Sequence, residues 1–343
     1  MEGLFPGWSW VIGLWIGAAI GSFLNVVIYR MPLGLSLGDP KHSFCPACRH
    51  RLTLPDLIPL LSWLFLGGKC RHCRARVPAR YFIVELITGS LFAIFWYQHL
   101  IHGWDPARAV CFSLFAAALI AAIYIDLKHF IIPDQVNASM LIFGLGLNLA
   151  LIAQKKPDAY ISGWPSSIVG ALTGIGVLWG IALLGRLIFR KDAMGHGDIK
   201  MARGMGAVLL PTAALMSFGV AVALGAVGGV AQILLTRKSA EPEPEAEEDD
   251  EPYEPESIGS LFKCGIGYVL CIDVIGLFLP SLYEKWFGEN PFATESVEDD
   301  DFVAGPTMIP FGPYLAMGAL AVAIFEPTFR QWVDAYFAFM TKS

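Results

Sequence analysis

The chain has 343 residues, of which 55% are hydrophobic and 16% are charged, and its mean hydropathy is +0.56. Soluble domains carry roughly a quarter charged residues, so this composition excludes an ordinary soluble fold. The net charge of −6 comes from ten acids at 241–256, and without them the rest of the chain is slightly basic. The acidity therefore belongs to one local segment, and the charge gives no indication of nucleic-acid binding. Uncharged runs of about twenty residues recur, and they are apolar all round rather than alternating, which predicts an all-α polytopic membrane protein and not a β-barrel.

About eight segments are apolar enough to be predicted as transmembrane helices. They lie at 8–28, 82–101, 107–126, 131–152, 164–189, 201–213, 214–235 and 309–326. The first segment has no basic residue before it and no small-residue cleavage site after it, so we expect a retained anchor rather than a signal peptide.

The basic residues predict how the helices are oriented. Lys and Arg concentrate in the loop 30–80, which the positive-inside rule places in the cytoplasm. Both termini are then outside. Lys200 and Arg203 are expected on the cytoplasmic side as anchors at the membrane interface.

The same pattern divides the chain into five parts. The predicted parts are a first transmembrane helix at 1–29, a cytoplasmic four-cysteine domain at 30–80, a transmembrane core at 81–238, an insert at 239–304, and a last helix with its tail at 305–343. The sequence predicts that the insert begins with a disordered acidic linker. An apolar stretch at 257–287 follows the linker, and it contains Lys263 and Asp273. Ionisable residues argue against a lipid-facing span, so we interpret this stretch as interfacial or re-entrant and assign it no function.

Two C-x2-C pairs in the loop 30–80 predict a metal site. They supply Cys45, Cys48, Cys70 and Cys73, with 21 residues between the pairs. Four thiolates in this spacing are typical of a closed tetrahedral zinc site that holds a loop together. The alternative is a set of reduced thiols without metal.

Two acidic residues at the ends of predicted spans are candidates for catalysis. Asp126 ends the apolar run "FAAALIAAIYID", and Asp198 follows two glycines, Gly195 and Gly197, in "GHGD". Two carboxylates that meet in space can share a proton and act as acid and base, as in aspartic proteases. We expect the glycines to adopt a backbone shape closed to other residues and to make room for a substrate chain. Asp134 is expected to support the loop or the substrate rather than to catalyse.

Simpler explanations of the carboxylates stay open on this evidence. Each aspartate could cap its helix or pair with a nearby Lys or Arg. A proton-coupled transporter would use the pair as proton sites, although it would need polar residues at mid-bilayer and a repeat. A zinc-tethered scaffold of a secretion apparatus would need the cysteines and neither aspartate.

The motifs together resemble the prepilin peptidases, the type IV leader peptidases that belong to the GxGD class of membrane aspartic proteases. The resemblance is carried by "GSFLNVVIYRMP", the four-cysteine loop, "IDLKHFIIPD", "GHGDIKMARGMGA" and "IPFGPYLAMGAL". It covers most of 10–235 and 305–325, whereas family members usually have a brief loop in place of the insert.

The resemblance implies a bacterial inner-membrane enzyme with Asp126 and Asp198 as its catalytic pair. Its substrates would be prepilins of type IV pili or pseudopilins of type II secretion, cleaved on the cytoplasmic side of the bilayer. Members with the cysteine domain generally also N-methylate the new N-terminus with S-adenosylmethionine. No glycine-rich loop of the soluble methyltransferases is visible, so the methyl-transfer residues stay unassigned, as does the oligomeric state.

Overall fold

A computed structural model describes residues 5–39, 42–192, 194–236, 256–288, 310–326 and 329. The acidic linker before residue 256 and most of the predicted C-terminal tail lie outside these residues. The sequence-based division into five parts is not tested by the fold and stays a prediction.

The described chain is built from helices, which confirms the all-α prediction. In chain order they are α1 (Trp10–Arg30), α2 (Leu61–Phe65), α3 (Ala79–Trp96), α4 (Pro106–His129), α5 (Asp134–Ala153), α6 (Ser166–Phe189), α7 (His196–Thr236), α8 (Ile258–Val269), α9 (Ile272–Gly276), α10 (Pro280–Phe287) and α11 (Gly312–Ile324). The strands β1 (Tyr160–Ile161) and β2 (Trp164–Pro165) form a small antiparallel hairpin between α5 and α6.

Six described helices are long and apolar enough to cross a membrane. They are the segments Gly7–Arg30, Ala79–His102, Pro106–His129, Asp134–Ala153, Ser166–Phe189 and His196–Gln232, whereas α8 and α11 are apolar but shorter. The chain is therefore a multi-pass membrane protein by length and composition, and the predicted count of eight spans is not confirmed. The predicted spans 201–213 and 214–235 lie within α7, which is broken at Leu210 (φ 66°, ψ 167°) just before Pro211.

Small residues let the helices approach each other closely. Gly17 of α1 faces α3, where an added Cβ would lie 2.6 Å from the Phe92 Cβ atom. On α6, a Cβ at Gly174 would run into the backbone of α7 at Ala202. This is how helices pack in lipid, where the hydrophobic effect does not drive them together.

One end of the helix bundle carries most of the chemistry. The end of α1 meets the start of α3, since Asn25 Nδ2 donates to the Tyr81 carbonyl oxygen at 3.2 Å. The start of α5 meets the start of α7, since Lys200 Nζ lies 2.7 Å from Asp134 Oδ1. Because α3 and α4 are joined by the short turn 97–105 and run in opposite directions, the end of α4 lies here too. We call this the cysteine end, since the loop with the four cysteines joins α1 to α3 there.

Candidate active site

Asp126 lies in the last full turn of α4, with only 5% of its surface exposed. Its carboxylate accepts a hydrogen bond from the backbone N–H of Gly312, the first residue of α11. A side chain at Gly312 would collide with Asp126 Oδ2, and its Cβ would lie 2.9 Å from Ile132 Cδ1. The absence of a side chain at residue 312 therefore lets the start of α11 reach the carboxylate.

Asp198 lies in the first turn of α7 and is half-buried. Its carboxylate accepts a hydrogen bond from the backbone N–H of Gly195, the residue before the helix. This contact is the half of a capping box in which the third helical residue reaches back to the N-cap. The simple explanation, that Asp198 caps its helix, is thus correct, and the same contact fixes where the carboxylate points.

The structure brings the two aspartates together. Their carboxylates are close enough for their charges to interact. Ile132, in the turn after α4, lies between the two sides of the site. A Cβ at Gly197 would be 3.3 Å from the Ile132 Cβ atom, and Ile132 also faces Gly312. The segments around Asp126, Asp198 and Gly312 therefore converge at the cysteine end of the bundle.

The expectation about the glycines is wrong in one respect. Neither Gly195 nor Gly197 has a positive φ, so neither adopts a backbone shape closed to other residues. Gly197 does lie in a close approach, since an added Cβ would be in tight contact with Ile132, but Ile132 belongs to the same chain and not to a substrate. Space beside Gly195 for a substrate backbone stays a prediction.

Asp134, the third predicted acidic residue, is held in a polar cluster at the same end of the bundle. Lys200 Nζ lies 2.7 and 2.9 Å from its two carboxylate oxygens, and the Tyr283 hydroxyl donates to Oδ2 at 2.6 Å. Tyr283 belongs to α10, in the insert. The contacts join the starts of α5 and α7 to the insert, in keeping with a supporting role for Asp134.

The expectation that Lys200 and Arg203 are anchors at the membrane interface is wrong. Lys200 is 7% exposed and Arg203 is 1% exposed. Arg203 forms two hydrogen bonds with the carboxylate of Asp273, at 2.8 and 2.5 Å, and Asp273 is 2% exposed. Positive charge near the end of a predicted span suggested an anchor. In the structure both cations are buried and are paired with acids from distant segments.

The insert supplies further contacts to the first turn of α7. His196 Nε2 lies 2.8 Å from Glu256 Oε2, and His196 Nδ1 lies 2.8 Å from the Tyr268 hydroxyl. The apolar stretch at 257–287 forms the three short helices α8 to α10, which pack on α5 and α6. Asp273 was the signal in the sequence, because an ionisable residue in an apolar run calls for a partner. Tyr283 and the Gly312 N–H gave no such signal.

The four cysteines form a second site at the same end. The Sγ atoms of Cys45, Cys48, Cys70 and Cys73 all lie within 4.8 Å of one another, and all four thiols are free. Both C-x2-C pairs adopt the same turn. In each, the first cysteine N–H donates to a carbonyl five residues on, at 3.0 Å for Cys45 and 2.9 Å for Cys70. Two matched turns that aim four sulfur atoms at one point could hold a metal ion.

The pKa values of the cysteine thiols favour a metal cation at the centre of the cluster. Backbone N–H groups of Cys73 and His72 lower the pKa of Cys70 to about 7. The N–H of Ala75 favours the thiolate of Cys73, but desolvation and the other three sulfur atoms raise its pKa to about 11. One thiolate forms readily and the next is opposed by its neighbours, so a central cation is what would let all four ionise.

Comparisons with known proteins match the parts of the chain that hold the cysteines and the aspartates. The model of the bacterial peptidase A24 N-terminal domain matches residues 15–99, which hold the cysteines, and that of the type IV leader peptidase family matches 113–230, which hold both aspartates. A prepilin leader peptidase/N-methyltransferase of Aeromonas salmonicida (strain A449) is 36% identical over 244 residues, covering 63% of this chain and 78% of the relative. One of Myxococcus xanthus (strain DK1622) is 32% identical over 337 residues, covering 98% and 95%. No solved structure matches the chain.

The buried ion pair between Arg203 and Asp273 predicts a stability effect. Asp273→Ala leaves the guanidinium buried without its carboxylate, so we expect the free energy of unfolding to fall by about 3–5 kcal/mol. Unfolding titrations of the detergent-purified protein measure this. The double variant Arg203→Met, Asp273→Leu removes both charges and is expected to recover most of the loss. Equal stability of Asp273→Ala and the native chain would contradict the importance of the pair.

Proposed function

This chain belongs to the type IV leader peptidase family, and we propose that Asp126 and Asp198 are the catalytic pair with which it cleaves the leaders of prepilins. The substrates are type IV prepilins or the pseudopilins of type II secretion. The observation that carries the proposal is the meeting of the two carboxylates, each fixed by a backbone N–H, at one end of an apolar helix bundle.

The arrangement suits hydrolysis of a peptide bond. Two nearby carboxylates repel each other when both are ionised, so a shared proton leaves one as acid and the other as base. The base takes a proton from water as the water oxygen attacks the scissile carbonyl carbon. The acid gives its proton to the leaving amide nitrogen as the C–N bond breaks. The Gly312 and Gly195 N–H groups hold the carboxylates in place without adding a competing acid.

The membrane location follows from the helices, and the orientation is part of the proposal. The cysteine end holds the basic loop 30–80, so the positive-inside rule directs it to the cytoplasm of a bacterial inner membrane. The leader of a prepilin would be cut on that side. The partners are the prepilin and the lipid bilayer.

The same enzyme N-methylates the product, an activity that the names of the relatives state for those proteins, and S-adenosylmethionine is the methyl donor. In the cysteine domain, Zn²⁺ bound by Cys45, Cys48, Cys70 and Cys73 has a structural role, because four thiolates leave no open position. A proton-coupled transporter and a non-catalytic scaffold are not favoured, since the relatives are named as processing enzymes.

The catalytic assignment predicts the loss of cleavage in two variants. Asp126→Asn and Asp198→Asn each remove one carboxylate of the pair, so we expect the cleavage rate to fall by about 10²–10⁴-fold. Membranes that contain each variant are incubated with a prepilin, and the products are separated by mass. Asp158→Asn, which alters an acid at the opposite end of the bundle, serves as control. Native rates in either catalytic variant, at normal protein levels, would refute the assignment.

The contact between α11 and Asp126 predicts that Gly312 positions the Asp126 carboxylate. Gly312→Ala forces the Asp126 carboxylate away from its position, so we expect kcat to fall by about 10²-fold, with a smaller change in KM. Steady-state cleavage of a prepilin separates the two constants. Gly219→Ala is the matched control, because an added Cβ there has nothing within 4 Å. Unchanged kcat in Gly312→Ala would show that the contact does not position the carboxylate.

The zinc assignment predicts the metal content of the purified protein. We expect one zinc ion per chain by elemental analysis, and a large loss of zinc in Cys45→Ser, because three thiolates bind more weakly than four. Cys111→Ser, which alters a buried cysteine outside the cluster, is expected to keep its zinc. A native chain without zinc, purified with no chelator present, would contradict the assignment.

A further inference from the structure

A cavity of about 370 Å³ lies where the cysteine domain meets the ends of α1 and α3. Its walls include Asn25 and Glu85 from the two helices and Trp63, Lys69 and Arg76 from the domain. The volume is in the range of sites for small ligands, roughly 300–1,000 Å³. Neither Asp126 nor Asp198 lines it, so peptide cleavage as described above does not account for it.

The helix side of the cavity presents buried hydrogen-bond acceptors. Glu85 is 8% exposed, and its Oε2 accepts from the Leu60 N–H at 2.7 Å. Asn25 is 3% exposed; its Nδ2 donates to the carbonyls of Gly21 and Tyr81, while Oδ1 has no partner among the described residues. Burial of a carboxylate and of an unpaired acceptor is costly unless a ligand compensates for it. These two side chains therefore favour a cationic ligand with N–H groups.

The domain side of the cavity presents a flat ring and two cations. The Trp63 ring stacks on Phe82 with 5.0 Å between centroids, and its Nε1 donates to the Val77 carbonyl at 3.2 Å. A ring fixed in this way offers its face to a planar base, as aromatic side chains do for nucleobases. Lys69 and Arg76 pair across a β-bridge, and both are exposed, so two positive charges lie side by side at the rim. Such a rim suits a carboxylate.

We propose that this cavity is the S-adenosylmethionine site of the enzyme, a proposal that rests on the proposed N-methyltransferase function. Glu85 and Asn25 would hold the ammonium group of the cofactor, and Trp63 would hold its adenine. Lys69 and Arg76 would hold its carboxylate. The cofactor supplies a methyl group. The neutral amine nitrogen of the new N-terminus forms a bond to the methyl carbon as the methyl–sulfur bond breaks. The electron pair stays on sulfur, which gives a methylated ammonium and a neutral thioether.

The position of the cavity agrees with this use. It lies at the cysteine end of the bundle, where the end of α4 places Asp126. A second cavity of about 350 Å³ is lined by Arg108 and Asp158, and so lies at the other end of α4. An amine released at the aspartate pair reaches the first cavity without crossing the membrane, and it cannot reach the second in this way.

Binding of the cofactor tests the site without relying on methyl transfer. Isothermal titration of the detergent-purified full chain with S-adenosylmethionine measures the affinity. Glu85→Gln keeps an acceptor for the Leu60 N–H but removes the charge, and Trp63→Ala removes the flat ring. We expect each to weaken binding by about tenfold or more. Trp179→Ala is the matched control, because Trp179 also donates to a backbone carbonyl, at 3.1 Å, and packs against a Phe ring, but lies outside the cavity. Its affinity should stay within about twofold of the native chain.

Cleavage of a prepilin by the same preparations separates this proposal from the function on which it rests. Glu85→Gln is expected to cleave at the native rate, which also shows that it is folded. A native chain that binds the cofactor but does not cleave would refute the peptidase function alone. Native affinity in both Glu85→Gln and Trp63→Ala, or no binding by the native chain, would overturn the cofactor site.

Photo-crosslinking locates the bound cofactor independently. S-adenosylmethionine labelled in its methyl group is irradiated with the native protein, and the labelled peptides are identified by mass spectrometry. Label in peptides from 22–30 or 42–85 is expected. Label confined to peptides from 106–236 would contradict the assignment.

Discussion

The position of the candidate active site depends on one constraint: charged side chains buried among apolar helices need partners. His196, Lys200 and Arg203 lie on one face of α7, four and then three residues apart. Each is bound by a different acid, namely Glu256, Asp134 and Asp273. A buried charge without its partner costs several kcal/mol, so the buried pairs of Lys200 and Arg203 strongly disfavour any other register of α7, and the partly exposed contact of His196 with Glu256 adds to them. Asp198 lies in the same first turn, and its position is fixed with theirs.

The segment after α7 contributes to these contacts, although the sequence analysis assigned it no function. Two of the three acids, Glu256 and Asp273, come from residues 256–288, and Gly312 at the start of α11 binds Asp126. The chain therefore leaves the site at the end of α7 and returns to it twice. The relative from Myxococcus xanthus aligns over 98% of this chain, so its similarity extends across this region as well.

The sequence predicts motifs whose residues lie close together in the chain, but it does not identify partners that are distant in the chain. The paired C-x2-C motif and the aspartates at the ends of apolar runs can be recognised from neighbouring letters, and the structure brings both sets together. The partner of Arg203 is 70 residues away, and an apolar run containing Asp273 says only that some cation must meet it. The expected role of Lys200 and Arg203 as interfacial anchors was wrong because it considered only cations near span ends, whereas both side chains are buried against acids from distant segments. Gly312 acts through its backbone N–H, for which no residue type gives a signal.

The number of spans could not be read from hydropathy for a related reason. A hydropathy window measures length and polarity, whereas the break in α7 at Leu210 is a change of backbone conformation just before Pro211. Gly318 of α11 lies against Ser217 and Ala221 in the second part of α7, so that part is held by a helix too short to be counted as a span by itself. Close approach between small residues decides the arrangement here, and average hydropathy does not register it.

In the cysteine domain, the cysteine cluster and the cavity beside it are built from the same turns. One face holds four sulfur atoms at a single point, and the residues that follow Cys70 and precede it, Lys69 and Arg71 among them, line the adjoining cavity. The turns that a metal would stiffen are thus the turns that carry part of the cavity wall. Arg71 is held in turn by Asp56, whose pKa the guanidinium and the Thr53 hydroxyl lower to about 2, so this pair keeps its charge at neutral pH. A charged wall built on the cysteine turns and resting on α1 and α3 would give the domain a purpose in an enzyme whose proposed catalytic aspartates lie on α4 and α7.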